Sequence, residues 1–156
     1  MTTAAIDGGV IRKKVFYSYA HEDRRLLENV KRHLSLLRRQ NLLEDWHDGL
    51  VRPGANWNDE ISAALAAADL ILLLVSAYFL ASDFCYDEEM TAAIERHQNG
   101  EATVVPVIVK PCDWHGAPFG GLQALPTDGR PVTTWDNREA AYLSIATGIR
   151  KLVETN

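Results

Sequence analysis

The sequence has little cysteine and no hydrophobic segment that is long enough to cross a bilayer. Its two cysteines, Cys85 and Cys112, lie in different segments without metal-ligand spacing. This pattern argues against a disulfide framework or a zinc site, and it predicts two reduced thiols. The most hydrophobic stretch, Leu70 to Ala81, is too short for a transmembrane helix and too far inside the chain for a signal peptide. We therefore expect a soluble, cytoplasmic protein that does not bind membranes.

Positive charge is also scarce. The chain has a formal net charge of −5 and a pI near 5.5, and its basic residues are scattered apart from the cluster Arg12 to Lys14. A basic face that binds nucleic acid directly is therefore not expected. The histidines form no pair at helical metal-binding spacing, so we expect no metal site. They are His21, His33, His47, His97 and His115.

The motifs of several common enzyme classes are missing. There is no G-x-x-x-x-G-K-[ST] loop, no G-x-G-x-x-G after the first predicted strand and no G-x-S-x-G elbow. These absences argue against a P-loop NTPase, a Rossmann enzyme and a serine hydrolase. A phospho-receiver domain has acids after its first strand and an aspartate that closes its third. Here Ser18 and Ser76 lie at the ends of the first and third apolar runs, so a receiver is not favoured.

The sequence does have the size and periodicity of one α/β domain. Its 156 residues are 47% apolar, which is enough for a single core. Residues 1–10 are small and polar, which predicts a flexible lead-in before a domain of residues 11–156. Apolar patterns predict five strands with helices between them. The predicted strands are Val15–Ala20, Leu42–Trp46, Asp69–Val75, Thr103–Val109 and Val132–Trp135.

Four predicted helices complete the pattern. The first follows the first strand and has Asp23 as its N-cap, and the second is the stretch Asn58–Ala68. The third runs without a break from Tyr78 to Gln98, and the last runs from Arg138 to Val153. Alternating strands and helices predict a flavodoxin-like three-layer α/β fold, in which a five-stranded parallel sheet has helices on both faces. Ligands of such sheets bind outside the carboxyl ends of the strands. Candidate site residues should therefore follow Tyr19, Trp46, Val75 and Val109.

Four stretches occur in a fixed order, namely "VFYSYAHEDR", "DWHDGLVRPGANWNDEISAAL", "ADLILLLVSAYFLASDFCYDEE" and "VVPVIVKPCDW". Together they closely resemble a Toll/interleukin-1 receptor (TIR) domain of the bacterial type, from about Lys13 to Val153. The first is similar to the family's first box, and "RPGANW" is similar to its BB loop. The third resembles the segment that holds the catalytic glutamate of TIR enzymes that consume NAD. The last helix lacks the Phe-Trp box of animal receptors, so that feature is not carried over.

The acidic stretch in this third segment raises the question of which carboxylate is functional. Acids at a helix start are favoured by the helix dipole, and we interpret Asp83, Asp87 and Glu89 as surface charges of this kind. Enzymatic relatives have an aromatic-Cys-x-x-Glu pattern, which "FCYDE" matches, so the resemblance implies that Glu88 is catalytic. Helical geometry alone does not exclude Glu89.

Cleavage of the bond between nicotinamide and ribose expels a good, cationic leaving group and develops positive charge on the sugar. A carboxylate held against the ribose stabilises this oxocarbenium-like transition state, and no metal or strong acid is required. Glu88 suits this role. The predicted helix gives it Phe84, Cys85 and Ala92 as neighbours, which we expect to shield it in part from water.

The resemblance also implies which residues hold the substrate. Phe84 and Trp57 match aromatic positions of TIR NAD sites, and core packing is the alternative role for both. Tyr19 and His21 match positions that line the pocket, although many enzymatic relatives have arginine at this point of the chain. Asp48 would contact a ribose hydroxyl or cap the loop that it enters.

The implied function is an NAD glycohydrolase that releases nicotinamide and linear or cyclised ADP-ribose and is activated by self-assembly. NAD is the substrate, and no cofactor is expected. The expected partners are other TIR domains, in a homo-oligomer or filament, and a sensor domain or partner missing from this chain. The resemblance implies a role in bacterial anti-phage defence. The alternative is a non-catalytic TIR adaptor that signals by TIR–TIR association. A nucleoside-transferase-like enzyme on the same sheet is a third hypothesis.

Assembly should depend on the BB loop, Asp48 to Asn56, because TIR domains resemble one another in packing this loop against a neighbour. Gly49, Pro53 and Gly54 permit tight or unusual backbone geometry, and Arg52 belongs to the same assembly loop. If the loop of one subunit closes over the catalytic pocket of the next, a dilute monomer has an open, wet site. We expect NAD cleavage per molecule to rise steeply with protein concentration, and Gly54→Arg to abolish it without unfolding the domain.

A dilution series of the rate of nicotinamide release, run beside size-exclusion chromatography, measures this dependence. Circular dichroism of Gly54→Arg controls for folding. Constant specific activity in a species that stays monomeric throughout would contradict the assembly hypothesis.

Overall fold

The computed structural model describes residues 12–46 and 57–154, apart from the side chains of Trp57, Asn58, Cys85 and Tyr86. The predicted lead-in, residues 1–10, lies outside these ranges, and so does the assembly loop. No helix within them is long and apolar enough to cross a membrane.

The centre of the fold is a parallel sheet. Its strands are β1 (Lys13–Ser18), β2 (Leu43–Asp45), β3 (Leu70–Val75) and β4 (Thr103–Ile108). They lie in the order β2-β1-β3-β4, and every neighbouring pair is parallel. The carboxyl ends of the strands therefore meet at one edge of the sheet. The predicted α/β fold class is confirmed, with four strands in the described ranges instead of five.

Helices cover both faces of this sheet. They are α1 (Arg24–His33), α2 (Ser35–Arg39), α3 (Trp57–Ala67), α4 (Ala77–Leu80), α5 (Glu88–Gln98) and α6 (Arg138–Glu154). Buried residues of α1, α2 and α6 belong to one hydrophobic cluster, and buried residues of α3, α4 and α5 belong to the other. The three layers follow from the parallel pairing, because parallel neighbours need crossover connections that return over a face of the sheet.

β3 contributes to both hydrophobic clusters. Its six residues are all buried. Leu70, Leu72 and Leu74 face one cluster, and Ile71, Leu73 and Val75 face the other. Successive side chains of a strand point to opposite faces, so a strand that is buried on both faces must be apolar throughout. The continuous aliphatic run in the sequence predicted this strand for the right reason.

The predicted fifth strand, Val132–Trp135, is wrong. Val132–Thr134 forms a 3₁₀ turn, in which Thr134 Oγ1 donates a hydrogen bond to the carbonyl of Pro131 at 2.7 Å. Local side-chain bonds of this kind compete with a strand ladder, and Pro131 has no N–H to contribute to one. Beside β4 the structure instead places Leu125, which forms an isolated parallel bridge with Val107.

This bridge is one of several features that cover the outer edge of β4. The N–H of Val104 donates to His97 Nδ1 at 3.0 Å, and the N–H of Ile108 donates to the carbonyl of Leu125 at 2.8 Å. Pro106, which lies between them on the same edge, has no N–H. His97 was predicted on the apolar side of its helix, and it serves there as the hydrogen-bond acceptor for the edge strand.

The predicted continuous helix from Tyr78 to Gln98 is also wrong. It is divided into α4, a 3₁₀ turn at Asp83–Tyr86 and α5. The break occurs at Asp87, whose backbone is extended and whose Oδ1 accepts the N–H groups of Glu89 and Met90, each at 3.0 Å. An aspartate in this position satisfies free N–H groups at a helix start, so it begins a new helix.

Asp23 does not cap the helix that it precedes. Its side chain makes no capping hydrogen bond with α1 and is fully buried. It accepts a hydrogen bond from Ser76 Oγ, directly after β3, and Nζ of Lys110, just beyond β4, lies 2.6 Å from Asp23 Oδ1. The N-cap prediction is wrong because these partners, which are distant in sequence, pair with the carboxylate inside the protein, where it could not remain unpaired without a large cost.

Tyr17 connects β1 with the end of β2. Its hydroxyl donates to Asp45 Oδ1 at 2.9 Å, and Arg38 Nη1 lies 3.3 Å from Asp45 Oδ2. Burial raises the pKa of Tyr17 well above its ordinary value, and the negative charge of Asp45 raises it further. The phenol therefore stays protonated and remains a hydrogen-bond donor in the folded protein.

This raised pKa predicts a loss of stability at high pH. In the unfolded chain Tyr17 ionises above a pH of about 10, whereas the folded protein keeps it neutral. Its stabilisation is therefore fully present below that pH and is lost as the pH rises toward the folded pKa, by at most about 1.4 kcal/mol per pH unit. Between about pH 9 and about pH 11, we expect the parent to lose more free energy of unfolding than Tyr17→Phe does.

Urea denaturation at a series of pH values measures this difference. The two proteins differ only at position 17, so the contributions of all other groups cancel in the comparison. An equal loss in the two proteins would rule out Tyr17 as the source.

Candidate functional site

A pocket of about 310 Å³ lies at the carboxyl ends of β1 and β2. Its walls come from β1 and the segment that follows, from the residue after β2, from α3 and from the 3₁₀ turn after α4. We call it the aromatic pocket, and it is lined by Phe16, Tyr17, Ser18, Tyr19, His21, Trp46, Ile61 and Phe84. Its position agrees with the rule that ligands of a parallel sheet bind outside the carboxyl ends of the strands.

Ring contacts fix the aromatic walls of this pocket. The rings of Phe16 and Trp46 stack with their centroids 5.4 Å apart and their planes inclined by 21°. The ring of Phe84 lies 6.2 Å from that of Phe79, a buried residue of α4, at an interplanar angle of 52°. Aromatic pairs favour such stacked or tilted arrangements, and the ring faces offer area to a planar ligand. The pocket therefore suits a flat heterocycle.

The structure brings three of the predicted substrate-binding residues together. Tyr19, His21 and Phe84 all line the aromatic pocket. Tyr19 and Phe84 are half-buried, and His21 is exposed. The alternative role of Phe84 in core packing is met in part, because its ring also packs against the cluster beneath α3, α4 and α5.

The other predicted residues cannot be placed in this way. Asp48 lies outside the described residues, and so does the side chain of Trp57. The same holds for the assembly loop with Gly49, Arg52, Pro53 and Gly54. The roles of these residues stay predictions from the sequence.

Glu88 lies beside the aromatic pocket and does not line it. It is the first residue of α5, its side chain is exposed, and it lines a separate groove of about 250 Å³ between α3 and α5. The expected shielding by Phe84 and Cys85 as helical neighbours is wrong, because Asp87 starts a new helix and leaves both residues in the preceding turn.

The groove and the aromatic pocket are adjacent. Ile61 lines the pocket and Ser62, the next residue of α3, lines the groove. On the other side, Phe84 lines the pocket and Glu88, four residues later, lines the groove. The pocket and the groove of Glu88 are thus lined by neighbouring residues of α3.

The two glutamates at the start of α5 have different surroundings. Ser62 Oγ donates to Glu89 Oε2 at 2.5 Å, which ties Glu89 to α3. Within the described part of the chain, Glu88 has no side-chain hydrogen bond or ion pair. The start of a helix carries a positive partial charge that favours a carboxylate there. Of the two residues, Glu88 is the one whose carboxylate is available to a ligand.

Trp46, Phe16 and Ile61 line the aromatic pocket but were not among the predicted site residues. Trp46 directly follows β2, so its position at the carboxyl end of a predicted strand is a signal in the sequence. Phe16 and Ile61 have no such signal, because each fits the apolar pattern of an ordinary core position. The structure identifies them only by the space that they border.

Neither a reactive thiolate nor a metal-binding cluster is found near the strand ends in the described part of the chain. Burial raises the pKa of the Cys112 thiol, and the negative charges of Asp113 and Asp23 act in the same direction, so the thiol stays protonated at neutral pH. Among residues 12–46 and 57–154, no three His, Cys, Asp or Glu side chains are grouped so that they could hold a metal ion. The described site thus consists of aromatic surfaces, one imidazole and an adjacent carboxylate.

Comparisons with known proteins agree with this architecture. The uncharacterized protein y4lF of Sinorhizobium fredii (strain NBRC 101917 / NGR234) is 47% identical over 137 residues, which cover 88% of this chain and 42% of that protein. This chain therefore spans less than half the length of that relative. The TIR domain of the Toll-related receptor TRR-2 from Hydra magnipapillata superposes with a TM-score of 0.59 at 18% identity, over 87% of this chain and 97% of the other.

The receptor structure supports the fold alone, since its sequence identity is low. A family model with the description "TIR domain" matches residues 15–143, which include β2, β3, β4, most of β1, and the residues that line the aromatic pocket together with Glu88. On this match, the chain belongs to the TIR domain family.

Proposed function

We propose that this TIR domain is an NAD glycohydrolase, which cleaves the bond between nicotinamide and ribose and releases linear or cyclised ADP-ribose. One observation carries the proposal, namely that the aromatic pocket and the carboxylate of Glu88 are adjacent at the carboxyl ends of the sheet. The reaction needs a surface that holds a flat ring and a negative charge beside the sugar. This site provides both.

The volume of the aromatic pocket indicates how the substrate would bind. Ligand pockets usually measure roughly 300–1,000 Å³, and this one, at about 310 Å³, is at the small end of that range. It is large enough for one heterocycle and its sugar, and a whole dinucleotide must extend beyond it. With a ring between the aromatic walls, the attached ribose reaches the boundary formed by Ile61 and Phe84, where the groove of Glu88 begins.

At that boundary Glu88 acts on the ribose. Its carboxylate orients the hydroxyl groups and stabilises the positive charge that develops as nicotinamide departs. Water then bonds to the anomeric carbon and loses a proton to give linear ADP-ribose, or a nucleophilic atom of the substrate itself forms that bond to give the cyclised product. Glu89 is bound to Ser62 and is therefore the weaker candidate. Tyr19 and His21 form the opposite rim, where they contact the sugar or the phosphates of the bound substrate.

The exposure of Glu88 in a single chain supports activation by self-assembly. A carboxylate in water interacts weakly with a developing charge, and the interaction strengthens when water is excluded. Residues 47–56 connect Trp46 with α3, and both Trp46 and Ile61 of α3 border the aromatic pocket. A neighbouring subunit that packs against this side of the domain would cover the groove and complete the site.

A second candidate function, a non-catalytic TIR adaptor, is favoured by one observation. Glu88 lies outside the aromatic pocket and is not shielded, which is how a surface charge at a helix start would look. An adaptor would bind other TIR domains through the same surfaces and would release no nicotinamide. The two functions therefore differ in a single measurable product.

We place the domain in bacterial anti-phage defence, where a sensor clusters the TIR domains and the loss of cellular NAD stops the infected cell. In the relative from Sinorhizobium fredii, the matched region is less than half of the protein, so a TIR domain of this type occurs beside further sequence. A region or partner of that kind would supply the sensor. NAD is the substrate in this proposal, and the reaction uses no cofactor.

The central prediction concerns the charge of Glu88. Glu88→Gln keeps the shape of the side chain and removes its charge, so we expect the rate of nicotinamide release to fall by about 10²- to 10³-fold, the loss seen when one stabilising group is removed from a charged transition state. Glu89→Gln is the matched control, and its rate should stay within about twofold of the parent, as for an ordinary surface substitution.

Both variants are measured at high protein concentration, with thermal unfolding as the check on folding. A Glu88→Gln protein that cleaves NAD at the parent rate would exclude Glu88 as the catalytic carboxylate. If the parent forms assemblies by sedimentation analysis and releases no nicotinamide in them, the adaptor function replaces the proposed one.

A further inference from the structure

Asp23 is a carboxylate at the centre of the carboxyl edge of the sheet. It is fully buried, and in the described ranges the other buried polar residues are Ser18 and Ser76. A buried charge is costly unless it is paired and hydrogen-bonded, so its presence there needs a physical reason. A role at the start of α1 is not that reason, because Asp23 makes no capping hydrogen bond.

The partners of Asp23 come from two other strands. Ser76 Oγ, directly after β3, donates to Asp23 Oδ2, and Lys110 Nζ, just beyond β4, lies 2.6 Å from Asp23 Oδ1. Oδ2 thus accepts a hydrogen bond, whereas Oδ1 forms an ion pair but no hydrogen bond among the described residues. The ammonium group of Lys110 also lies 4.9 Å from the centre of the Tyr78 ring. Contacts on two sides hold the lysine in one position and connect the exits of β1, β3 and β4.

One wall of the aromatic pocket depends directly on this network. The N–H of Asp23 donates to the carbonyl of Ala20 at 2.9 Å and closes the turn that contains His21. Tyr19 enters the same turn. A shift of the Asp23 side chain would therefore move the rim formed by Tyr19 and His21.

The opposite wall reaches the same carboxylate through Ser76. The oxygen of Ser76 that donates to Asp23 also accepts the N–H of Phe79 at 3.2 Å and thereby caps α4. The ring of Phe79, which is buried, contacts that of Phe84, 6.2 Å away, and Phe84 lines the aromatic pocket. Both walls are thus linked to one buried acid, although neither Asp23 nor Lys110 lines the pocket.

We propose that Lys110 is a positioning residue, which acts through Asp23 and Ser76 to hold the two walls of the aromatic pocket at the spacing that the substrate needs. Without the ammonium group, the carboxylate of Asp23 would turn toward water, and the turn at His21 and the cap of α4 would move with it. The kinetic part of this inference rests on the proposed NAD cleavage. The structural part concerns only the pocket.

Three variants separate positioning from general stability. Lys110→Met removes the charge and keeps most of the apolar stem, and Lys110→Arg keeps the charge. Val153→Ala is the control, because Val153 is buried in the last turn of α6 and is part of neither the network nor the pocket lining. In clustered protein, well below all unfolding temperatures, we expect Lys110→Met to raise the KM for NAD about tenfold with kcat within about threefold. Lys110→Arg should have the KM of the parent. Val153→Ala should lower the unfolding temperature and leave the KM unchanged.

A second readout does not depend on catalysis. The chain has five histidines and four phenylalanines, so the ring signals of His21 and Phe84 can be assigned by NMR with labelled amino acids. We expect both signals to move in Lys110→Met and to stay in place in Lys110→Arg and Val153→Ala. If Lys110→Met does not fold, Asp23→Ala/Lys110→Met leaves no unpaired buried charge and removes the acceptor of Ser76, so both walls lose their link and the same displacement is expected.

The outcomes distinguish failure of this inference from failure of the proposed function. If the parent releases no nicotinamide, the proposed function fails, and the NMR comparison alone decides on positioning. Unchanged His21 and Phe84 signals in a folded variant without the Lys110 charge would overturn the inference. A rise in KM for Lys110→Met that is no larger than for Val153→Ala would overturn it too, as would equal losses in Lys110→Met and Lys110→Arg.

Discussion

The parallel pairing of β1, β3 and β4 is the constraint on which the rest of this structure depends. It requires crossovers over both faces, and this makes β3 apolar at every position. It also brings the exits of the three strands to one edge, where residues far apart in sequence become neighbours. The aromatic pocket, Glu88 and the buried Asp23 are all close to that edge. The sheet topology therefore determines where the site lies, and the individual side chains determine what it can bind.

Much of the fold was predictable because it depends on local patterns. The aliphatic run of β3 and the helical spacing of α6 are signals that tertiary contacts reinforce, and both elements were predicted close to their observed bounds. The shared location of Tyr19, His21 and Phe84 was also predictable. It followed from the resemblance to TIR domains together with the rule for ligand positions in parallel sheets.

The sequence-based predictions were wrong where a side chain could bind either a local or a distant partner. Asp87 was predicted to be a surface charge inside one long helix, but it caps a new helix that begins at Glu88. Because of this break, Glu88 does not have the helical neighbours that were expected for it. Asp23 was read as a cap, and it instead pairs across three strands with Lys110 and Ser76. Both are aspartates at helix starts with the same local signal. Only the fold decides which N–H groups and which cations are within reach.

The covered edge of β4 has a consequence for any assembly that this domain forms. An open strand edge is a template on which another chain can add a strand, and crowding raises that hazard. Here His97 and Leu125 occupy the outward N–H groups of Val104 and Ile108, and Pro106 has none to offer. Domains that gather at high local concentration therefore cannot extend their sheets through these positions. A cluster of domains can therefore form without the growth of amyloid-like fibres through these positions.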